Sequence, residues 1–228
     1  MQKRAKSEKQ GKIFLLFGMT TAGKTTIGRA IAGMLKGQFV DIDVKIAEKV
    51  NMSVRSFYAK YGKAVFRQVE CEVFREVLKQ GEKASEEGDS LVISVGGGLM
   101  ENEGAIRLLQ VEHSYIAKRG GIFFLDMPAK ILWGRVLRKA KQDKTFPAFL
   151  CLQNSTALYG EPSLFDKSFA VKNKAGALMA YRARFLAMYK KRMAFFVKEM
   201  QKIDVIKIKC KGKRVRELAR NVIKSSIE

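Results

Sequence analysis

The stretch Gly18-Met-Thr-Thr-Ala-Gly23-Lys24-Thr25-Thr26 has residue types at a spacing that grips phosphate. In G-x-x-x-x-G-K-T the glycines let the backbone fold tightly, so that several N–H groups point inward at one anion. The lysine then reaches the β/γ-phosphates, and the threonine hydroxyl can hold Mg²⁺. An apolar run at residues 13–17 precedes the motif and a helical pattern follows it. The start of that helix aims its positive dipole end at the same phosphates. The first chemistry this chain is equipped for is therefore binding a nucleoside triphosphate.

Three further constellations supply acid, base and close backbone approach. Asp41-Ile42-Asp43 closes a second candidate strand. Residues two apart on a strand share a face, so both carboxylates are expected to point toward the phosphate loop. One could order Mg²⁺, directly or through its waters, and the other could accept a proton from an attacking hydroxyl. The competing reading makes them strand-end acids that cap the next helix. In Phe66-Arg67-Gln-Val-Glu70, the arginine and glutamate stand three apart on one helical face. They suit an ion pair, or the arginine could clamp a substrate carboxylate through two parallel hydrogen bonds. Gly96-Gly97-Gly98 follows an apolar run, and three glycines at a strand end allow positive φ and very close ligand approach.

The elements that must position these groups alternate in type. Candidate strands lie at residues 13–17, 39–42, 91–95, 122–125 and 205–208. Ile27, Ile31, Met34 and Leu35 repeat at helical spacing, with Gly37 as a stop. Ser53 reads as the cap of a short helix, and residues 64–79 as a longer one. Pro128 suits the first turn of a helix ending near Lys139, and further helices are expected over about 175–201 and 213–224. Residues 80–90, polar and carrying Gly81 and Gly88, read as a surface loop, and 141–174, without clear periodicity, as a long lid. Alternating short strands and helices predict a five-stranded parallel sheet covered on both faces, with ligands at the carboxyl ends of its strands.

Composition narrows the classes. A chain of 228 residues with 47% hydrophobic content suits one packed domain and argues against disorder. No apolar stretch approaches the roughly 20 residues that a membrane helix needs, and the N-terminus is charged rather than apolar. The three widely spaced cysteines offer neither a disulfide framework nor a zinc spacing and suit a cytoplasmic protein. His113, the single histidine, reads as a surface loop residue, which argues against a histidine-based metal site or catalytic triad. A formal charge of +22 is common in nucleic-acid binders. Here the basic residues are dispersed and no nucleic-acid-binding pattern accompanies them. A basic surface on a monomer with anionic small-molecule ligands accounts for the charge.

The ordered set GMTTAGKTT, DID, FRQVE and GGG, on strand, strand, helix and strand, resembles the shikimate kinases from about Ile13 to Arg138. Phosphate loops are widely shared, but that trio of partners is not. Residues 121–125 through Arg135 look like the family's fourth strand and following helix, and residues 186–196 are similar to its late helix, which brings Arg192 to the substrate. The resemblance implies a single P-loop kinase domain over residues 1–228, with a basic tail at about 1–12, a substrate-binding lobe at about 43–80 and a lid at about 140–170. It implies ATP and Mg²⁺ as cofactors and phosphorylation of the 3-hydroxyl of shikimate. Gly18, Thr21, Ala22, Gly23, Lys24, Thr25, Thr26 and Arg135 would hold the nucleotide, with Thr25 and Asp41 at the metal. Asp43 would bind the acceptor hydroxyls and act with Lys24 in catalysis. Arg67 and Arg192 would grip the carboxylate, and Gly97 and Gly98 would meet the ring.

Two positions depart from the family. Its lid carries R-P-L-L, and Phe146 stands here where that arginine is expected. Lys63 stands where an acid is common. Two alternatives stay open at this point: a related kinase of another small hydroxy or sugar acid such as gluconate, and a nucleotide-binding regulator without turnover.

Overall fold

The computed structural model describes residues 10–144, 146, 150 and 171–226. Its elements run β1 (Ile13–Gly18), α1 (Lys24–Leu35), β2 (Gln38–Asp41), α2 (Ile42–Val50), α3 (Val54–Glu86), β3 (Leu91–Ser94) and a 3-10 turn (Leu99–Glu101). After these come α4 (Glu103–Arg119), β4 (Gly120–Asp126), α5 (Ala129–Asp143), α6 (Val171–Met200), β5 (Val205–Lys209) and α7 (Val215–Lys224). The five strands form one sheet in the order β2-β3-β1-β4-β5, with every neighbouring pair parallel.

Side-chain alternation divides the core between the two faces. Ile13, Leu15 and Phe17 of β1 pack on one side with Ile93 of β3, Phe74 of α3, Leu109 of α4 and Phe196 of α6. Phe14 and Leu16 face the other side, with Ile31 of α1, Trp133 and Val136 of α5, Phe185 of α6 and Leu218 of α7. Strands buried on both faces read as unbroken apolar runs, which is why the central strands were legible. Helices α2, α3 and α4, after β2 and β3, cover the first face, α1, α5 and α7 cover the second, and α6 packs on both. Neighbours β1 and β3 therefore send their chains to opposite faces, and the crevice at their carboxyl ends is the switch point where such sheets bind ligands.

Several local expectations need correction. Ile42 is the first residue of α2 rather than the last of β2, because the Asp41 carboxylate accepts from the Asp43 backbone N–H at 3.1 Å and starts the helix there. Residues 80–86 are helical rather than loop. Gly81 lies against the side chains of Leu91 and Ile13, and buried Ser85 donates to the Gly11 carbonyl at 2.7 Å, so α3 is held against the sheet to its last turn. The short and long helices read around residues 53–79 are joined into α3. Ser53 caps its start, accepting from Ser56 N–H at 3.0 Å. His113 lies half-buried within α4, with Nδ1 on the Gln110 carbonyl at 2.7 Å, rather than in a loop.

The join inside α3 falls at Gly62, with φ 77° and ψ −179°. That backbone region is open essentially to glycine alone. A β-carbon at Gly62 would meet no neighbour, so any cost of substitution is conformational. Gly62→Ala is expected to lower stability by about 1–3 kcal/mol, read as a lower urea midpoint with an unchanged slope.

Candidate active site

The phosphate loop leaves the end of β1 and enters α1 through Gly23, whose φ of 104° is left-handed. Thr21 also sits at positive φ, 63°. The Ala22 N–H closes the turn on the Met19 carbonyl at 3.0 Å, and the Ile27 N–H bonds Gly23 at 2.9 Å. Arg135 braces the loop from α5, donating to the carbonyls of Thr21 (3.0 Å) and Ala22 (3.2 Å). Gly18 ends β1, and Thr26 is exposed in the first turn of α1.

Lys24 donates to the carbonyls of Gly18 (2.9 Å) and Met19 (3.1 Å), so its ammonium lies along the loop's inner wall. Burial of that ammonium lowers its pKa to about 8, against the opposing pull of Asp43 and Asp41. The Thr25 hydroxyl donates to Asp41 Oδ2 at 2.8 Å. A hydroxyl and a carboxylate side by side are the hard oxygen donors that Mg²⁺ takes, with waters completing its shell. No group of three or more His, Cys, Asp or Glu residues that could hold a metal occurs among the described residues. Two protein oxygens at the phosphate loop therefore fit Mg²⁺ better than a dedicated protein cage.

Asp43 stands in the first turn of α2. Burial raises its carboxyl pKa, and neighbouring Asp41 adds to the shift, while Lys24 opposes it. The expected pair of strand-end acids is thus real but differently built. Asp41 caps the helix and bonds Thr25, and Asp43 enters the crevice from the helix, not from the strand face.

The glycine triplet packs between these groups. A β-carbon on Gly96 would lie 2.9 Å from Asp43 Oδ1, and one on Gly97 would lie 3.3 Å from the Thr20 amide nitrogen. On Gly98 it would stand 2.9 Å from Arg67 NH2 and 3.2 Å from Arg192 NH2. None of the three has positive φ, so the conformational freedom that the triplet allows is not used. What excludes side chains here is close approach. The cleft beside the triplet is lined by Gly18, Met19, Gly97, Met100, Phe124 and Arg192.

Two guanidinium groups thus converge on Gly98 from α3 and α6. Like charges drawn toward one point repel by on the order of a few kcal/mol at an effective dielectric near 20, which carboxylates beside them offset. Glu70, 2% exposed, accepts from Arg67 NH1 at 2.6 Å. Glu101 accepts from Arg192 Nε at 2.8 Å and lies 3.8 Å from Arg67 NH2. Burial works to raise the Glu101 carboxyl, but the Arg192 hydrogen bond and the charges of Arg192, Lys191 and Arg67 outweigh it and hold the carboxyl below its usual range. Buried Asn102 donates to the Arg67 carbonyl (2.7 Å) and Glu70 Oε2 (3.1 Å) while capping α4. Of the two readings of Arg67, the ion pair with Glu70 is formed. Glu101 and Asn102 were not visible in the sequence, since Glu-Asn-Glu before a helix signals only a cap.

The lid expectation, residues 141–174, falls mostly outside the described residues. Phe146, at the position of the family's lid arginine, is 5% exposed and stacks on Tyr181, with centroids 4.2 Å apart and planes at 10°. Trp133 lies 6.2 Å away on the same stack. Arg184 of α6 donates to the Leu150 carbonyl at 3.0 Å. Phe146 is thus part of the core rather than of a phosphate contact. None of the helices among the described residues is long and apolar enough to cross a membrane.

A phosphate loop at the switch point of a parallel sheet, facing a buried carboxylate and paired arginines, defines a P-loop kinase for a small anionic acceptor. A family model described as shikimate kinase matches residues 20–155. The chain belongs to the shikimate kinase family. It is 32% identical over 136 residues to a shikimate kinase of Streptococcus thermophilus, covering 60% of this chain and 72% of that one. It is 32% identical over 161 residues to one of Nostoc sp., covering 68% and 80%. The solved shikimate kinase of Acinetobacter baumannii in complex with shikimate superposes with a TM-score of 0.66 at 21% identity, over 97% of this chain and 96% of that one. That of Bacteroides thetaiotaomicron superposes at 0.61 and 18% identity, over 95% and 99%.

Proposed function

We propose that this protein is a shikimate kinase, transferring the γ-phosphoryl group of ATP to the 3-hydroxyl of shikimate and so serving aromatic amino acid biosynthesis. The observation that carries the reading is the meeting of Asp43, Gly97 and the Arg67–Arg192 pair with the phosphate loop in one crevice. A small polyhydroxy acid needs cations at its carboxylate end and an acidic acceptor beside the reacting hydroxyl, and these groups are arranged in that order. Lys24 and the N–H groups of Thr21 through Thr26 would neutralise the phosphates, braced by Arg135. Thr25 and Asp41 would hold Mg²⁺, which would supply positive charge to offset the charge developing on the transferred phosphoryl group. Asp43 would orient the attacking hydroxyl and take its proton, and alignment with charge neutralisation supplies the catalysis.

The test is ADP release by purified protein with Mg²⁺-ATP across a panel of hydroxy acids. Shikimate-dependent release is expected, with gluconate and other sugar acids inactive. ATP binding with no shikimate turnover would sink the proposal, and turnover of a different hydroxy acid would replace it with the related-kinase reading.

The acceptor clamp has its own signature. Arg67→Ala would strand buried Glu70 at about 3–5 kcal/mol, so the charge-retaining change is the cleaner test. Arg67→Lys loses the planar fork and is expected to raise the KM for shikimate by about 10–100-fold, equivalent to one charge-assisted hydrogen bond, at an unchanged KM for ATP. Initial rates with each substrate varied separately would check it.

A further inference from the structure

We propose that Glu101 is a positioning residue for the acceptor clamp, bridging the guanidinium groups of Arg67 and Arg192 so that both face one point before substrate arrives. The inference rests on the reading of those arginines as the site of the shikimate carboxylate. Arg67 lies on α3 and Arg192 on α6, two elements distant in sequence. Their NH2 groups nevertheless approach the same position beside Gly98, at 2.9 and 3.2 Å. Without an anion near both, charge repulsion would drive the arginines apart.

Glu70 offsets Arg67 alone. Glu101 joins the two, accepting from Arg192 Nε at 2.8 Å with its other oxygen 3.8 Å from Arg67 NH2. Its hold is on the Nε side of the Arg192 guanidinium, whereas NH2 is the atom that approaches Gly98. The three side chains are 11–16% exposed, so water screens the network far less than it screens a surface pair. Glu101 is itself rigidly placed. Its N–H closes the 3-10 turn on the Gly98 carbonyl at 2.9 Å, and Leu99 and Asn102 on either side are buried.

Two effects of this acid oppose each other. Its charge repels an incoming carboxylate, while its hydrogen bond preorganises the groups that receive one. The short contact to Arg192 and the mutual repulsion of the arginines decide for preorganisation, which lowers the cost of ordering the clamp on binding.

The experiment is steady-state kinetics of Glu101→Gln, Arg192→Ala and the double variant, with shikimate and ATP varied separately. Glu101→Gln is expected to raise the KM for shikimate about tenfold, the loss of one charge-assisted hydrogen bond, with kcat and the KM for ATP changed less than about twofold. In the Arg192→Ala background the same change is expected to add almost nothing, because there is no longer an Arg192 to position. A merely structural role would move both KM values and persist in that background. An unchanged or lower KM for shikimate, or full additivity, overturns the inference while the function stands. Failure of the unaltered protein to phosphorylate shikimate overturns both. If Glu101→Gln does not fold, Glu101→Asp keeps the charge on a shorter arm, and a shikimate-specific rise in KM is expected there too. Its absence overturns the proposal.

Discussion

Asp43→Asn is expected to lower kcat by about 10²–10⁴-fold, the usual worth of a positioned general base, while Mg²⁺-ATP still binds. Asparagine keeps the size of aspartate and can still meet a hydroxyl, but it cannot take a proton at neutral pH. The raised carboxyl pKa of Asp43, caused first by burial and then by Asp41, makes it a better proton acceptor than an exposed aspartate. The acid side of the kcat/KM profile should therefore fall at a pH above the ordinary aspartate range, and this limb should vanish in the variant. Stability moves the opposite way. A carboxyl whose folded pKa lies above its unfolded value favours the fold below the unfolded pKa and loses that contribution as pH rises through the folded one. At neutral pH the buried charge is a cost, so Asp43→Asn is expected to melt no lower than the unaltered protein. A variant that lost activity by unfolding would melt lower, and calorimetry distinguishes the two.

Lys24→Met is expected to lower kcat by at least about 10²–10³-fold, the range found when a single donor to developing transition-state charge is removed. Methionine keeps the apolar stem and removes the cation. The lysine also makes nucleotide binding depend on pH. With its pKa lowered to about 8 by burial, Lys24 is increasingly neutral above that pH. Bound phosphates favour the charged form, so binding ATP above about pH 8 should take up a proton and weaken as pH rises. Titration calorimetry at pH 8.5–9 in two buffers of different ionisation enthalpy would read that proton directly as a buffer-dependent heat. In Lys24→Met the buffer dependence should disappear, and its persistence would assign the proton elsewhere.

Phe146 bears on the rate of the unaltered enzyme. Its ring fills a stack with Tyr181 and Trp133, so the position where the resemblance leads one to expect an arginine contributes packing to the core instead of charge to the phosphates. An arginine supplied to a comparable transition state is worth about 10³–10⁵ in rate. On the proposed reading Lys24 and the loop amides would carry more of the catalytic load, which is why substitution of Lys24 is placed among the largest effects.

Much of this molecule could be read from local pattern. The phosphate loop is continuous in the chain, and its chemistry depends on backbone spacing within nine residues, so Gly18 through Thr26 carried it without any tertiary context. The central strands were legible because burial on both faces leaves unbroken apolar runs such as Ile13–Gly18. Where packing overrode local composition, pattern misled. Residues 80–86 look polar enough for a loop, yet Gly81 and Ser85 face the sheet and keep the segment helical. Asp41 and Asp43 were placed on one strand face because side-chain alternation was extended two residues too far, past a cap that the Asp41 side chain itself creates. The glycine triplet was read as allowing positive φ and close ligand approach. Its actual role is to leave room for Asp43 and the two arginines, which arrive from three different helices. A charge network such as Glu70–Arg67–Glu101–Arg192 has no periodicity or fixed spacing to betray it, because its members meet only when α3, the turn after β3 and α6 are packed together. Chemistry confined to one turn of chain is written in residue order, whereas chemistry shared between elements exists only once burial has brought opposite charges close enough to offset one another.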